Sequence, residues 1–196
     1  MVLWASARLR ADALFVVQTL PRKIGRRVNV PSQNIVIRDC QMRDGHGGVV
    51  IGSEVSGGAR NIFAERCQMD SPRLDRMLRL KTNSVRGGFI EHVFVRDITV
   101  GQVAEAIVTI DFTYEEGDTG KFPPRVRDIN VERVTSQKSK YGMLLRGYAT
   151  APIRDVRLTD CTLNGVQSGD LIERVQDVVL TNVKYNGQVR NEHITR

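Results

Sequence analysis

The chain has 196 residues, 41% of them apolar and 26% charged, which is enough for one domain with its own core and ordinary for a folded protein in water. Its net charge of +7 is not a nucleic-acid signature: residues 1–30 hold Arg8, Arg10, Arg22, Lys23, Arg26 and Arg27 against Asp12 alone, while both signs are interspersed beyond them. No run of 18 apolar residues occurs, so no membrane-spanning helix is expected.

Residues 1–25 read unlike the rest. Arg8, Arg10 and Asp12 interrupt the place where a secretory signal would carry its apolar core, and the run at 13–17 is too short to serve as one. This segment is expected to be a frame-shifted stretch or a short cap, with a weakly apolar helix over 14–20 closing the end of the domain that fills 26–196.

From residue 34 onward one phrase recurs. At 34–40 it reads Asn-Ile-Val-Ile-Arg-Asp-Cys, and variants return at 61–67, 92–98, 128–134, 155–161 and 177–183. A polar residue opens each copy, apolar residues follow at every second position, and a polar or charged pair precedes the last apolar one. Alternation over so short a run specifies a strand. Recurrence every 22 to 36 residues specifies a stacked solenoid, in which each unit buries its apolar face against its neighbours. A second series of strands falls between the copies, at 48–51, 77–81, 106–110, 143–146 and 171–172. No intervening segment has a 3.6-residue apolar pattern, which excludes helical and leucine-rich repeats. The pattern predicts an all-β, right-handed, single-stranded parallel β-helix with two or three strands per coil, truncated on its N-terminal side. Protruding loops are expected at Ser71-Pro72 and over 115–124.

Cys40, Cys67 and Cys161 all fall at the last apolar position of the phrase. Coils stack about 4.8 Å apart, so the first two lie one above the other. Small buried thiols packed in a ladder are the expectation, with a bridge as the geometric alternative. No histidine stands beside them, so no metal site is expected.

Two segments carry candidate chemistry. His46 stands in a turn between Gly45 and Gly47, whose freedom to take positive φ would leave the imidazole open for acid–base work or hydrogen bonding. In the strand at 77–81, alternation sends Leu78 and Leu80 inward and sets Arg79 and Lys81 side by side outside. Two such cations repel each other unless an anion covers them; arginine suits the carboxylate fork and lysine adds a point charge. The two segments are about one coil apart, so one groove could hold all three residues. Asp111, Glu115, Glu116 and Asp118 form an acidic loop one coil further on, read as flexible, solvated carboxylates.

Gly-His-Gly at 45–47 followed by Arg-Leu-Lys at 79–81 resembles glycoside hydrolase family 28, the polygalacturonases and related pectin hydrolases. The wider stretches Asp-Gly-His-Gly-Gly-Val-Val-Ile-Gly-Ser (44–53) and Leu-Asp-Arg-Met-Leu-Arg-Leu-Lys-Thr-Asn (74–83) are similar to its bacterial, often exo-acting branch, and the likeness runs over about four fifths of the chain. The resemblance implies a parallel β-helix that hydrolyses α-1,4 links between galacturonic acid units with inversion and without a cofactor. It implies a supporting role for His46 near the catalytic carboxyls and a carboxylate-holding role for Arg79 and Lys81. The expected partner is a pectic polysaccharide or oligogalacturonide, met by a periplasmic or secreted monomer. The family's three aspartates, in Asn-Thr-Asp and Asp-Asp motifs ahead of Gly-His-Gly, have no counterpart in residues 1–33. The chain as given is therefore expected to be the C-terminal portion of a hydrolase and inactive. Two other readings stay open: a galacturonate-binding remnant, and a calcium-dependent lyase acting by β-elimination.

Overall fold

The computed structural model describes residues 3–6, 15–19 and 22–196. Three walls of parallel strands wind into a β-helix, one strand per wall in each coil, with the right hand that parallel crossovers take. The first wall stacks Leu3–Ser6, Ser32–Arg38, Ala59–Glu65, Phe89–Arg96, Arg125–Glu132, Ile153–Thr159 and Val175–Tyr185. The second is made of the two-residue strands Gln41–Met42, Gln68–Met69, Thr99–Val100, Thr135–Ser136 and Thr162–Leu163. The third is the six-stranded sheet of Phe15–Val17, Val49–Ile51, Arg76–Lys81, Ala106–Asp111, Tyr141–Arg146 and Leu171–Glu173. Gln188–Ile194 folds back antiparallel on Val175–Tyr185.

The repeated phrase is legible in the backbone. Its apolar positions stack in register, Ile35 on Ile62, Val93, Ile129, Val156 and Val178, all facing a dry core. Its opening polar residues, Asn34, Asn61, His92, Asp128, Asp155 and Asp177, all have φ between 51° and 58°. So do the residues before the last apolar one, Asp39, Arg66, Asp97, Arg133, Asp160 and Asn182, at 49° to 57°. The chain must bend at both places, and short polar side chains tolerate the left-handed region best. Side chains at these corners bond from coil to coil: Asn61 Nδ2 donates to Asn34 Oδ1 at 3.0 Å, and Arg66 grips both oxygens of Asp39 at 2.8 and 3.0 Å. Cys40, Cys67 and Cys161 are buried and unbridged.

The N-terminal segment departs from expectation. Phe15–Val17 is a strand paired with Val49–Ile51, where a capping helix over 14–20 was anticipated; Leu14 and Leu20 lie outside the described residues. The valines meet an open sheet edge that offers backbone partners, which outweighs their weak helical pattern. The helix comes later, at Arg22–Val28, and Leu3–Ser6 extends the first wall, so both sheets continue below residue 26. No helix among the described residues is long and apolar enough to cross a membrane.

Candidate functional site

The third wall carries the candidate residues. Leu78 and Leu80 point into the core with no exposure, and alternation turns Arg79 and Lys81 outward, half-buried. Arg79 lies between Val50 and Thr109 in the neighbouring coils, and Lys81 lies beside Asp111. The Gly-His-Gly turn sits one coil before them, joined by a bridge between Gly45 and Leu74. Arg79 Nη1 lies 3.5 Å from the His46 carbonyl oxygen, so the turn and the basic strand share one surface.

The two turn glycines serve different needs. Gly45 has φ +117°, open only to glycine. Gly47 keeps an ordinary φ, but a Cβ there would stand 2.8 Å from Val50 Cγ2 and 3.4 Å from Arg79 Cβ. Crowding against Val50 in the strand that follows, rather than the positive φ anticipated for it, is what Gly47 answers.

The His46 side chain is 74% exposed, and its Nδ1 lies 3.0 Å from Asp75 Oδ2. A carboxylate can only accept, so Nδ1 carries the proton toward Asp75 and Nε2 faces the open surface. Asp75 also meets Arg76 Nη1 at 3.4 Å, and Arg76 pairs with Glu105. Burial, with repulsion from Arg79 behind it, brings the Arg76 guanidinium down to about 10.

Neither Arg79 nor Lys81 forms an ion pair among the described residues. Lys81 Nζ instead lies 4.4 Å from the centre of the Tyr114 ring, with the Arg79 guanidinium carbon 5.8 Å from that centre. Lys81 titrates below an ordinary lysine, first because it is buried and then because Arg79 repels its charge; Glu115 pulls the other way. A half-buried, uncompensated pair of cations over an aromatic face is an anion-receiving surface, with the fork of Arg79 matched to a carboxylate.

Asp118 of the acidic loop is exposed as its composition suggests, but Glu115, Glu116 and Asp111 are engaged. Arg86, only 5% exposed, takes Glu54 on Nε at 3.1 Å, Glu115 on Nη2 at 2.5 Å and Glu116 on Nη1. Asn83 Nδ2 adds 2.8 Å bonds to Glu116 Oε2 and the Tyr114 carbonyl. Asp111 is committed locally, accepting from the Thr113 amide at 2.8 Å and its hydroxyl at 2.7 Å. A desolvated guanidinium needs carboxylates, and the loop supplies them.

Sequence reasoning placed His46, Arg79 and Lys81 on one surface and missed Asp75, Tyr114 and Arg86 as their neighbours. Asp75 lies inside the 74–83 stretch already singled out, but nothing in its spacing points it at His46. Tyr114 and Arg86 come from separate turns, 28 residues apart in sequence and joined only by coil stacking.

The family model "Glycosyl hydrolases family 28" matches residues 27–186. The chain is 30% identical over 115 residues to an exo-poly-alpha-D-galacturonosidase from Dickeya chrysanthemi, covering 56% of this chain and 19% of that one. It is 23% identical over 139 residues to a probable polygalacturonase from Vitis vinifera, covering 69% and 28%. Among solved structures, a hyperthermoactive exopolygalacturonase from Thermotoga maritima superposes with a TM-score of 0.87 at 33% identity, covering 92% of this chain and 40% of that one. The chain thus spans less than a third of the length of the two curated relatives.

Proposed function

Because this chain belongs to the glycosyl hydrolases family 28, we propose that it serves hydrolysis of α-1,4-galacturonosyl links in pectin with inversion, and that it supplies the carboxylate-holding side of that site. The observation that carries this reading is the uncompensated Arg79–Lys81 pair beside Tyr114 and His46. Arg79 receives a uronate carboxylate in its fork, and Lys81 adds charge at short range. His46, held through Nδ1 by Asp75, keeps Nε2 for a hydrogen bond to a sugar hydroxyl or a catalytic carboxyl.

Inversion needs a protonated carboxyl and a carboxylate roughly 6.5–9.5 Å apart with water between them. The carboxylates around this surface have other work: Asp75 holds His46, Glu105 holds Arg76, Asp111 caps its own turn, and Glu115 and Glu116 hold Arg86. The chain by itself therefore binds oligogalacturonate and does not cut it. On this reading the protein meets its polymer in the periplasm or outside the cell, and works there as a monomer.

Calorimetric titration with trigalacturonate tests the binding. Arg79→Ala should weaken it about tenfold or more, as loss of a charge-assisted hydrogen bond does, and high salt should weaken it further. Affinity indifferent to both would sink the assignment. Release of reducing ends by the purified chain would overturn the claim that it only binds.

A further inference from the structure

Lys81 and Arg79 stand bare although two flexible carboxylates lie within a few residues of the Tyr114 ring they share. Glu115 is half-exposed, its carboxylate accepts a hydrogen bond from the Tyr114 hydroxyl, and its charge already acts on Lys81. Glu116 is next in sequence. Left to themselves, these side chains would swing to the nearest cations and neutralise the surface. The arrangement of Arg86 prevents that. Its guanidinium spreads one nitrogen to each of Glu54, Glu115 and Glu116, and its backbone amide is fixed at 3.0 Å by Asn83 Oδ1. Arg22 Nη2 takes the second oxygen of Glu116 at 2.9 Å. The Arg86 guanidinium carbon also lies 5.7 Å from the centre of the Tyr114 ring that Lys81 touches.

We infer that Arg86 is a positioning residue that sequesters Glu115 and Glu116, keeping Arg79 and Lys81 uncompensated and so competent for an anionic sugar. Tyr114 is the shared neighbour: its ring meets the cations and its hydroxyl donates to Glu115. Arg86 touches no ligand itself. It sets the charge of the site by deciding where two carboxylates point. The inference rests on the carboxylate-binding reading above for its biological meaning, but its physical content is a statement about Lys81 alone.

The test is a nuclear magnetic resonance titration of the Lys81 side chain, joined to calorimetry with trigalacturonate. In the wild type, Lys81 should titrate below an ordinary lysine; a value above it would mean that Glu115 already pairs with Lys81 and would overturn the inference without any variant. Arg79, Arg76 and Arg86 all repel the Lys81 charge and Glu115 attracts it, so Arg86→Met should raise the Lys81 pKa by loss of that repulsion and further as Glu115 is released onto it. Glu115→Gln should therefore lower the Lys81 pKa more in the Arg86→Met background than in the wild type, and equal effects in the two backgrounds would overturn the inference. A folded Arg86→Met protein with unchanged Lys81 titration would overturn the inference. In calorimetry, Arg86→Met should bind about tenfold more weakly and the double variant should recover. Weakening that Glu115→Gln fails to relieve would reduce Arg86 to scaffold and overturn the inference. If the wild type binds no trigalacturonate, the proposed function fails, and the Lys81 titrations still decide the sequestration.

Discussion

Replacing Phe112 with alanine should cost far more than the same change at Phe122, although the two rings bracket one loop. Phe112 is fully buried and meets Tyr148 edge-on, with centroids 5.5 Å apart and planes at 64°. The Tyr148 hydroxyl donates to the Phe112 carbonyl, and the Phe112 amide bonds Arg146 O at 3.0 Å, so the side chain fills space between fixed backbones that cannot collapse. A rigid aromatic site truncated to alanine loses about 3–5 kcal/mol, and the lost ring pair puts this site toward the top of that range. Phe122 is 43% exposed and covered on one face by the Arg26 guanidinium at 3.8 Å. Half the burial energy of a large side chain plus one exposed cation–π contact is about 1–2.5 kcal/mol. Urea unfolding followed by far-ultraviolet circular dichroism measures both, with amide exchange in Ala106–Asp111 and Tyr141–Arg146 to localise the loss. A Phe112→Ala cost below about 2 kcal/mol, or one no greater than that of Phe122→Ala, would refute the claim that the loop is anchored through a closed core site.

Other outcomes follow from the same structure. Gly88→Ala should destabilise by about 2–4 kcal/mol after the usual gain from a stiffer unfolded chain; its φ is +79° and its Cβ would stand 1.8 Å from Val55 O. Gly169→Ala meets nothing within 4 Å, and thermal melts in which the two variants match would count against the coil-packing argument. Burial foremost pushes the Cys67 thiol up to about 12 and the Cys161 thiol to about 11. Folding therefore favours the neutral thiols; their contribution is complete below the ordinary thiol range near 9 and is lost as pH rises through 11 to 12. The melting temperature should fall from pH 9 upward and a thiol reagent should react only after unfolding. A flat profile with immediate labelling would show these cysteines to be exposed.

The periodicity of the chain determined its walls. Alternating apolar residues repeated at coil length can bury their faces only by stacking, and polar residues at two fixed places in the phrase mark the corners where φ turns positive. That is why the strands, the inward leucines beside Arg79 and Lys81, and the nearness of His46 were all legible before any coordinates. Local patterning could not decide what the turns do, because turn residues are chosen by neighbours one or two coils away. Phe15–Val17 became a strand only because Val49–Ile51 offered an edge. Gly47 is glycine because the folded turn brings it against Val50, and Asp75 orients His46 across a bridge that no spacing announces. Glu115 and Glu116 look solvated in a sequence of loop residues, yet the desolvated charge of Arg86 on a neighbouring coil captures them. Sequence fixes which residues face outward by backbone geometry alone, whereas which outward charges cancel and which stay bare is settled by contacts between coils.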